Sequence, residues 1–231
     1  MKYLRLPWLS ILLVILCFLL LWSPQATAGQ KEEKNICFRW AFGAMVGPEN
    51  DRRLVAITRD TTLKTGDQLK LLVEFREKCF IYLIYHSGQD ELYMLFPYET
   101  QMFSVEPETH KKYYIPRGTR WFQLDEKTGL ETFYLLASAE RLSELEALMK
   151  KYECAGKPEK KGLAKGILAE IQRAKRQYRT LTAPAERPVS IGGSVRGIDK
   201  KKKSIPPDID PIAEEVSTIN FYSRTFTIDH R

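Results

Sequence analysis

The feature that most constrains the fold is a succession of short apolar runs, each closed by a Gly or Pro turn, between residues 38 and 137. Phe38, Trp40 and Phe42 alternate with Arg39, Ala41 and Gly43. That period of two predicts a half-buried strand. Residues 54–58 and 69–75 give two more strands, with a turn at Lys64-Thr65-Gly66-Asp67 between them. Residues 79–85 are apolar or aromatic at every position, which predicts a strand covered on both faces. Ser87-Gly88-Gln89-Asp90 is a hairpin turn, and residues 92–96 return and stop at Pro97. After a polar loop to Lys112, residues 113–115, 121–124 and 132–137 complete about eight strands, with turns at Gly118 and Gly129. This spacing predicts a mainly β fold, an antiparallel sandwich over 29–138. No repeat of 20–50 residues is present, which argues against a solenoid or propeller.

The pattern then changes period. Leu142, Leu145, Leu148, Met149 and Tyr152 recur at helical spacing after Ser138, a candidate N-cap. Gly156 and Pro158 are read as the stop of that helix. A second helix is expected from about Lys161 to Tyr178. Leu163, Ile167, Leu168, Ile171, Ala174 and Tyr178 lie on one side, with Lys165, Arg173, Lys175, Arg176 and Arg179 over much of the rest. Residues 139–181 are thus two amphipathic helices, the second basic. Residues 182–215, rich in Pro, Gly and Lys, read as a linker. In residues 216–231, Ile219 and Phe221 share one parity while Phe226 and Ile228 share the other. The switch near Ser223-Arg224 suggests a bulge or turn. This segment is expected to return to the sandwich as a strand and cover an open edge.

Residues 1–28 have the three parts of a signal peptide: Lys2 and Arg5, an apolar run from Leu9 to Trp22, and the small-x-small sequence Ala26-Thr27-Ala28. The expected address is periplasmic or extracellular, with membrane tethering if the segment is not cleaved. The apolar run is short for a bilayer span, and no second long one follows, so no transmembrane domain is expected after processing. Beyond Cys17, the cysteines are Cys37, Cys79 and Cys154. Three pairings are open, and sequence does not choose.

Charge is concentrated. Residues 29–154 carry 18 Lys/Arg and 20 Asp/Glu, whereas residues 155–203 carry 14 and 4. A basic stretch of this kind attracts anionic lipid, polysaccharide or an acidic protein face. Export argues against nucleic acid.

Several blocks resemble a known family. They are Leu63-Lys64-Thr65-Gly66-Asp67-Gln68-Leu69-Lys70-Leu71, the run 79–85 followed by Glu91-Leu92-Tyr93-Met94-Leu95-Phe96-Pro97, then Tyr114-Ile115-Pro116 and the run from Gly129 to Ser138. Their order over about residues 54–138 is similar to the bacterial family called domain of unknown function 4384. The resemblance implies a small all-β accessory module of envelope and signalling proteins, without established catalytic residues.

Chemistry-bearing motifs are sparse. His86, His110 and His230 have no partner at metal-ligand spacing and are expected to be exposed. There is no Gly-x-Ser-x-Gly elbow. Glu131, Asp125 and Glu126 read as residues beside a turn, and Gly192-Gly193-Ser194-Val195-Arg196-Gly197 as a connector. Tyr98 and Tyr113 are the aromatics expected at the surface. No catalytic, cofactor-binding or metal-binding residue is assigned, and no cofactor is expected. The expected function is that of a non-catalytic module binding an envelope protein or glycan. The alternatives are anionic lipid or polysaccharide binding through 155–203, and an envelope hydrolase whose nucleophile pair meets only in space. Export predicts that N-terminal sequencing of the processed protein begins at Gly29. A product still starting at Met1 would show an anchor.

Overall fold

The computed structural model describes residues 33–179 and 207–231. The 1–28 signal, the 182–206 part of the linker and its Lys200–Lys203 run lie outside the described residues. Among the described residues, eleven strands form two sheets. In the first, β10 (Glu214–Ile219), β1 (Asn35–Val46), β4 (Gln68–Phe75) and β7 (Lys112–Ile115) lie side by side. Strands β2 (Arg53–Ala56) and β8 (Phe122–Gln123) add to β1 and β4 respectively. In the second, the order is β3 (Thr61–Leu63), β11 (Phe221–His230), β9 (Gly129–Ser138), β5 (Phe80–His86), β6 (Leu92–Phe96). Every pairing is antiparallel except that of β3 with β11. The fold is therefore mainly β, a sandwich as the spacing predicts. The extra strands are β3, only three residues long, and a second strand in the C-terminal segment.

The core follows from strand parity. Ile36, Phe38, Trp40, Phe42 and Ala44 alternate along β1 and all face the gap between the sheets. They meet Phe133 and Leu135 of β9 and Phe226 and Ile228 of β11. Phe226 is fully buried, and its ring lies 5.1 Å from Trp40 and 5.4 Å from Phe42. A second core lies on the outer face of the second sheet. There Tyr82, Ile84, Leu136 and Phe221 pack against α1 (Ser143–Cys154) and α2 (Lys157–Arg179). Leu145, Met149, Ile167 and Ile171 supply the helical side, and Phe221 stacks on Tyr178 at 4.7 Å. This layer is why β5 is apolar at every position: Ile81 and Leu83 face one core, Tyr82 and Ile84 the other.

Helix boundaries differ from the sequence reading for local reasons. Ser138 is the last residue of β9, and its Oγ accepts the Glu140 N–H in the turn that follows. Leu142 is the N-cap residue, and its N–H donates to the Tyr82 phenol at 3.1 Å. That phenol donates in turn to Glu146 Oε1 at 2.6 Å. No side chain caps this helix; a tyrosine from the sheet instead holds the N–H of the N-cap residue and the Glu146 carboxylate one turn on. The first helix ends at Cys154, just before Gly156, as expected, but Pro158 is no gap between helices. It sits in the first turn of α2, where a missing N–H costs nothing.

The C-terminal segment is not one strand with a switch at Ser223-Arg224. It is two strands in different sheets, joined at Asn220. Asn220 has φ of 63°, a left-handed conformation that Asn tolerates better than most residues. Its Oδ1 and N–H bond the backbone of Lys34, and its C=O accepts from Ala139. β10 does cover an edge of the first sheet, but β11 is internal to the second. Its two apolar parities are the two faces of an unbroken strand. The end of the expected linker is also ordered. Ile209 is fully buried against Ala41 and Leu72 on the outer face of the first sheet. Gly43 admits this contact, because a Cβ there would stand 3.1 Å from the Ile209 side chain. Asp210 anchors the segment by ion pairs with Arg39 and Lys112.

Substituting Phe226→Ala should lower the unfolding free energy by about 3–5 kcal/mol, the range for an aromatic removed from a core. Urea denaturation is the check. A loss below about 1 kcal/mol would mean that β11 does not join the sheets.

Candidate binding groove at the open edge of the second sheet

Among the described residues, β6 pairs on one side only, with β5. The phase of its hydrogen bonds is set by Ser87 N–H donating to Glu91 C=O. In an antiparallel ladder such bonds alternate, so Tyr93 turns its backbone groups toward β5, while Leu92 and Met94 turn theirs outward. The Leu92 N–H confirms this, because it donates to the Tyr152 hydroxyl of α1 at 3.1 Å. The Leu92 C=O and both peptide groups of Met94 are left at the edge.

Beside this edge lies a groove of about 570 Å³, walled by β6, the end of α1 and the first turns of α2. Leu92, Met94 and Met149 give it an apolar floor, and Tyr93, 47% exposed, forms its rim. Lys157, Lys160 and Lys161 line the other side. Its acidic side chains are engaged. Glu91 accepts from the Tyr93 hydroxyl at 2.6 Å, Glu153 accepts from Thr100 at 2.9 Å, and Asp90 faces His86 at 3.4 Å. Lys160 lies over the Tyr152 ring at 5.0 Å. Lys157 and Lys161 have no ion pair among the described residues, and they stand at the positive end of a long helix. The hydrogen bond to Glu91, with burial second, pushes the Tyr93 phenol up to about 12, so it remains a donor at neutral pH.

The residues singled out from sequence fall elsewhere. His110 is exposed and His86 is half-buried, but His230 is buried, contrary to the reading of a chain-end histidine as solvated. It is placed there by the internal position of β11. Glu131 is buried too, and is not a turn residue: it accepts from the Tyr85 hydroxyl at 2.6 Å and from the Gly88 N–H at 3.2 Å. The structure brings His230 to 3.2 Å from Thr65 Oγ1 and to 4.0 Å from Glu131. The Thr65 hydroxyl donates its one proton to the Asp125 C=O at 3.0 Å, so toward His230 it accepts. The imidazole is then a donor to this hydroxyl and not its base, and its Nδ1 has no hydrogen-bond partner among the described residues. The described residues contain no cluster of three His, Cys, Asp or Glu with metal-ligand geometry. Tyr98 and Tyr113 are not surface aromatics. Tyr113 packs on Phe75 and Phe96, and the Tyr98 hydroxyl donates to the Tyr114 C=O at 2.7 Å. Tyr113 belongs to the wall of a cavity of about 120 Å³ under the 97–111 loop, and Tyr98 packs against the core between the sheets. Among the described residues the exposed aromatic is Tyr93. A sequence signal for it existed: β6, like β7, is followed at once by Pro, as edge strands often are, and each lies at the edge of its sheet.

The fold and this groove define a two-sheet sandwich with a helical layer on one face and a lateral opening at one edge. Within it, residues 62–141 match the family model described as domain of unknown function (DUF4384). The match runs from β3 to the residue before the α1 N-cap. It begins and ends somewhat later than the expected 54–138, leaving β1, both helices and the two C-terminal strands outside. The matched Leu63–Leu71 block has a physical reason. The buried Asp67 carboxylate accepts the N–H of Lys64 and of Gly47, which closes the turn before β4. No curated protein and no solved structure matches the chain. No helix among the described residues is long and apolar enough to cross a membrane.

The three thiols are all free in the structure, and their surroundings rank their reactivity. Burial pushes the Cys79 thiol up to about 12. Cys37 is raised by burial, with Glu215 and Glu77 adding to it. Cys154 is exposed. At pH 8 the native protein should lose one thiol rapidly to a disulfide reagent, mapped by mass spectrometry to Cys154, with Cys79 reacting only in denaturant. Fast labelling of Cys79 would contradict the packing of β5.

Proposed function

We propose that the chain is an exported, non-catalytic module that binds another protein of the cell envelope through the groove beside β6. One observation carries this reading: a sheet edge with unpaired backbone groups opens directly onto a groove of about 570 Å³. Such edges are usually covered or blunted, because they pair with other chains. Export rests on the three-part pattern of residues 1–28. The match to a family of unknown function brings no catalytic description with it.

The basic segment bears on the choice of ligand. Within its described part, Arg173 is paired with Glu170 and Lys175 donates to Thr225. Lys157, Lys160 and Lys161 line the groove. This favours a ligand held in the groove over a broad anionic lipid or polysaccharide surface.

The test is photo-cross-linking in living cells, with a benzophenone amino acid at Tyr93 and, as a control, at Val55, which is 37% exposed on β2 in the first sheet. A protease-sensitive adduct at Tyr93 and none at Val55 is expected. No adduct at Tyr93, or one that only a glycosidase removes, would overturn the reading.

A further inference from the structure

We propose that the groove takes an extended, acidic segment of the partner as an added strand on β6. The proposal rests on the protein-binding reading above and names the chemistry of the partner. The N–H and C=O of Met94 turn outward at this edge, while Leu92 is buried with its N–H held by Tyr152. An extended peptide satisfies such groups with its own backbone, independent of its sequence.

Side chains then set the preference. Leu92 and Met94 turn toward the helices, and Tyr93 turns to the opposite face. In an added strand, residues opposite Leu92 and Met94 point the same way, toward Lys157, Lys160 and Lys161. They are two apart in sequence. Residues between them lie beside the Tyr93 ring. The matching partner therefore has acidic residues at every second position, with β-branched or aromatic residues between. Position favours this over a basic segment, since Lys157, Lys160 and Lys161 stand together on the helix side toward which these residues point, whereas Asp90 and Glu91 lie in and beside the hairpin turn. The edge also limits length. β6 is five residues, with a register shift at Leu83/Ile84 on one side and Pro97 after it. The added strand is short, so the contact is weak and reversible alone.

The probe is a seven-residue peptide, acetyl-Val-Glu-Val-Glu-Val-Glu-Thr-amide, set against its Lys-for-Glu counterpart. Hydrogen exchange is measured on the full processed protein. The acidic probe should slow exchange of the Met94 amide at least tenfold, and the basic probe should not. The Lys157→Glu/Lys161→Glu variant alters only exposed side chains. It should weaken the acidic probe at least tenfold and bind the basic one better, with an unchanged melting temperature. Binding of the acidic probe without slowing at Met94, equal binding of both probes, or no binding would each overturn strand addition. If a protein is still captured at Tyr93 while the acidic probe fails, the groove remains a protein site and only the partner's chemistry is wrong. If capture at Tyr93 fails as well, both readings fall.

Discussion

The structure depends on one strand, β11, hydrogen-bonded along its length to β9 and, at its end, to β3. Its side chains serve both cores at once. Phe226 and Ile228 enter the gap between the sheets, while Phe221 stacks under α2. Each buried side chain of this size contributes about 1.5–3 kcal/mol, against a typical domain stability of about 5–15 kcal/mol. A strand from the end of the chain thus completes a sheet begun some 150 residues earlier. Asn220 makes this possible by turning the chain from one sheet to the other in a single residue.

The second consequence of β11 is the location of the open edge. With β11 inside the second sheet, one flank ends in the three-residue β3 and the other in β6. The helical layer covers the outer face of that sheet but stops beside β6, where the α1–α2 junction leaves a groove. Local packing sets where its charges lie. Acidic groups are tied to Tyr93, Thr100 and His86, whereas the lysines at the start of α2 lie on the surface with few partners.

The family match divides this groove. β6 lies inside the matched residues 62–141, while the end of α1 and all of α2 lie beyond them. The edge strand then lies in the matched segment, and the cationic wall in the helices outside it. Likewise the matched segment alone lacks β1 and β11, which provide much of the interior. The flanks are therefore part of the fold and not appendages to it.

Much was legible in the sequence because it is local. Period-two alternation in β1, turn chemistry around Asp67 and Gly129, and the helical stripe from Leu142 to Tyr152 all depend on neighbours a few residues away. The mainly β class, the extra covered face of β5 and the return of the C-terminus follow from those patterns. What only the tertiary structure decided is non-local. Whether Glu131 and His230 are solvated depends on β11 bringing one against the other. Whether Tyr93 or Tyr98 is the exposed aromatic depends on which strand ends the sheet. The parities of residues 216–231 suggested a bend, because sequence alone does not say that both faces of β11 are covered. The groove itself is built from β6 and from helix residues some 60 positions away, and side-chain period carries no information about which edge remains unpaired.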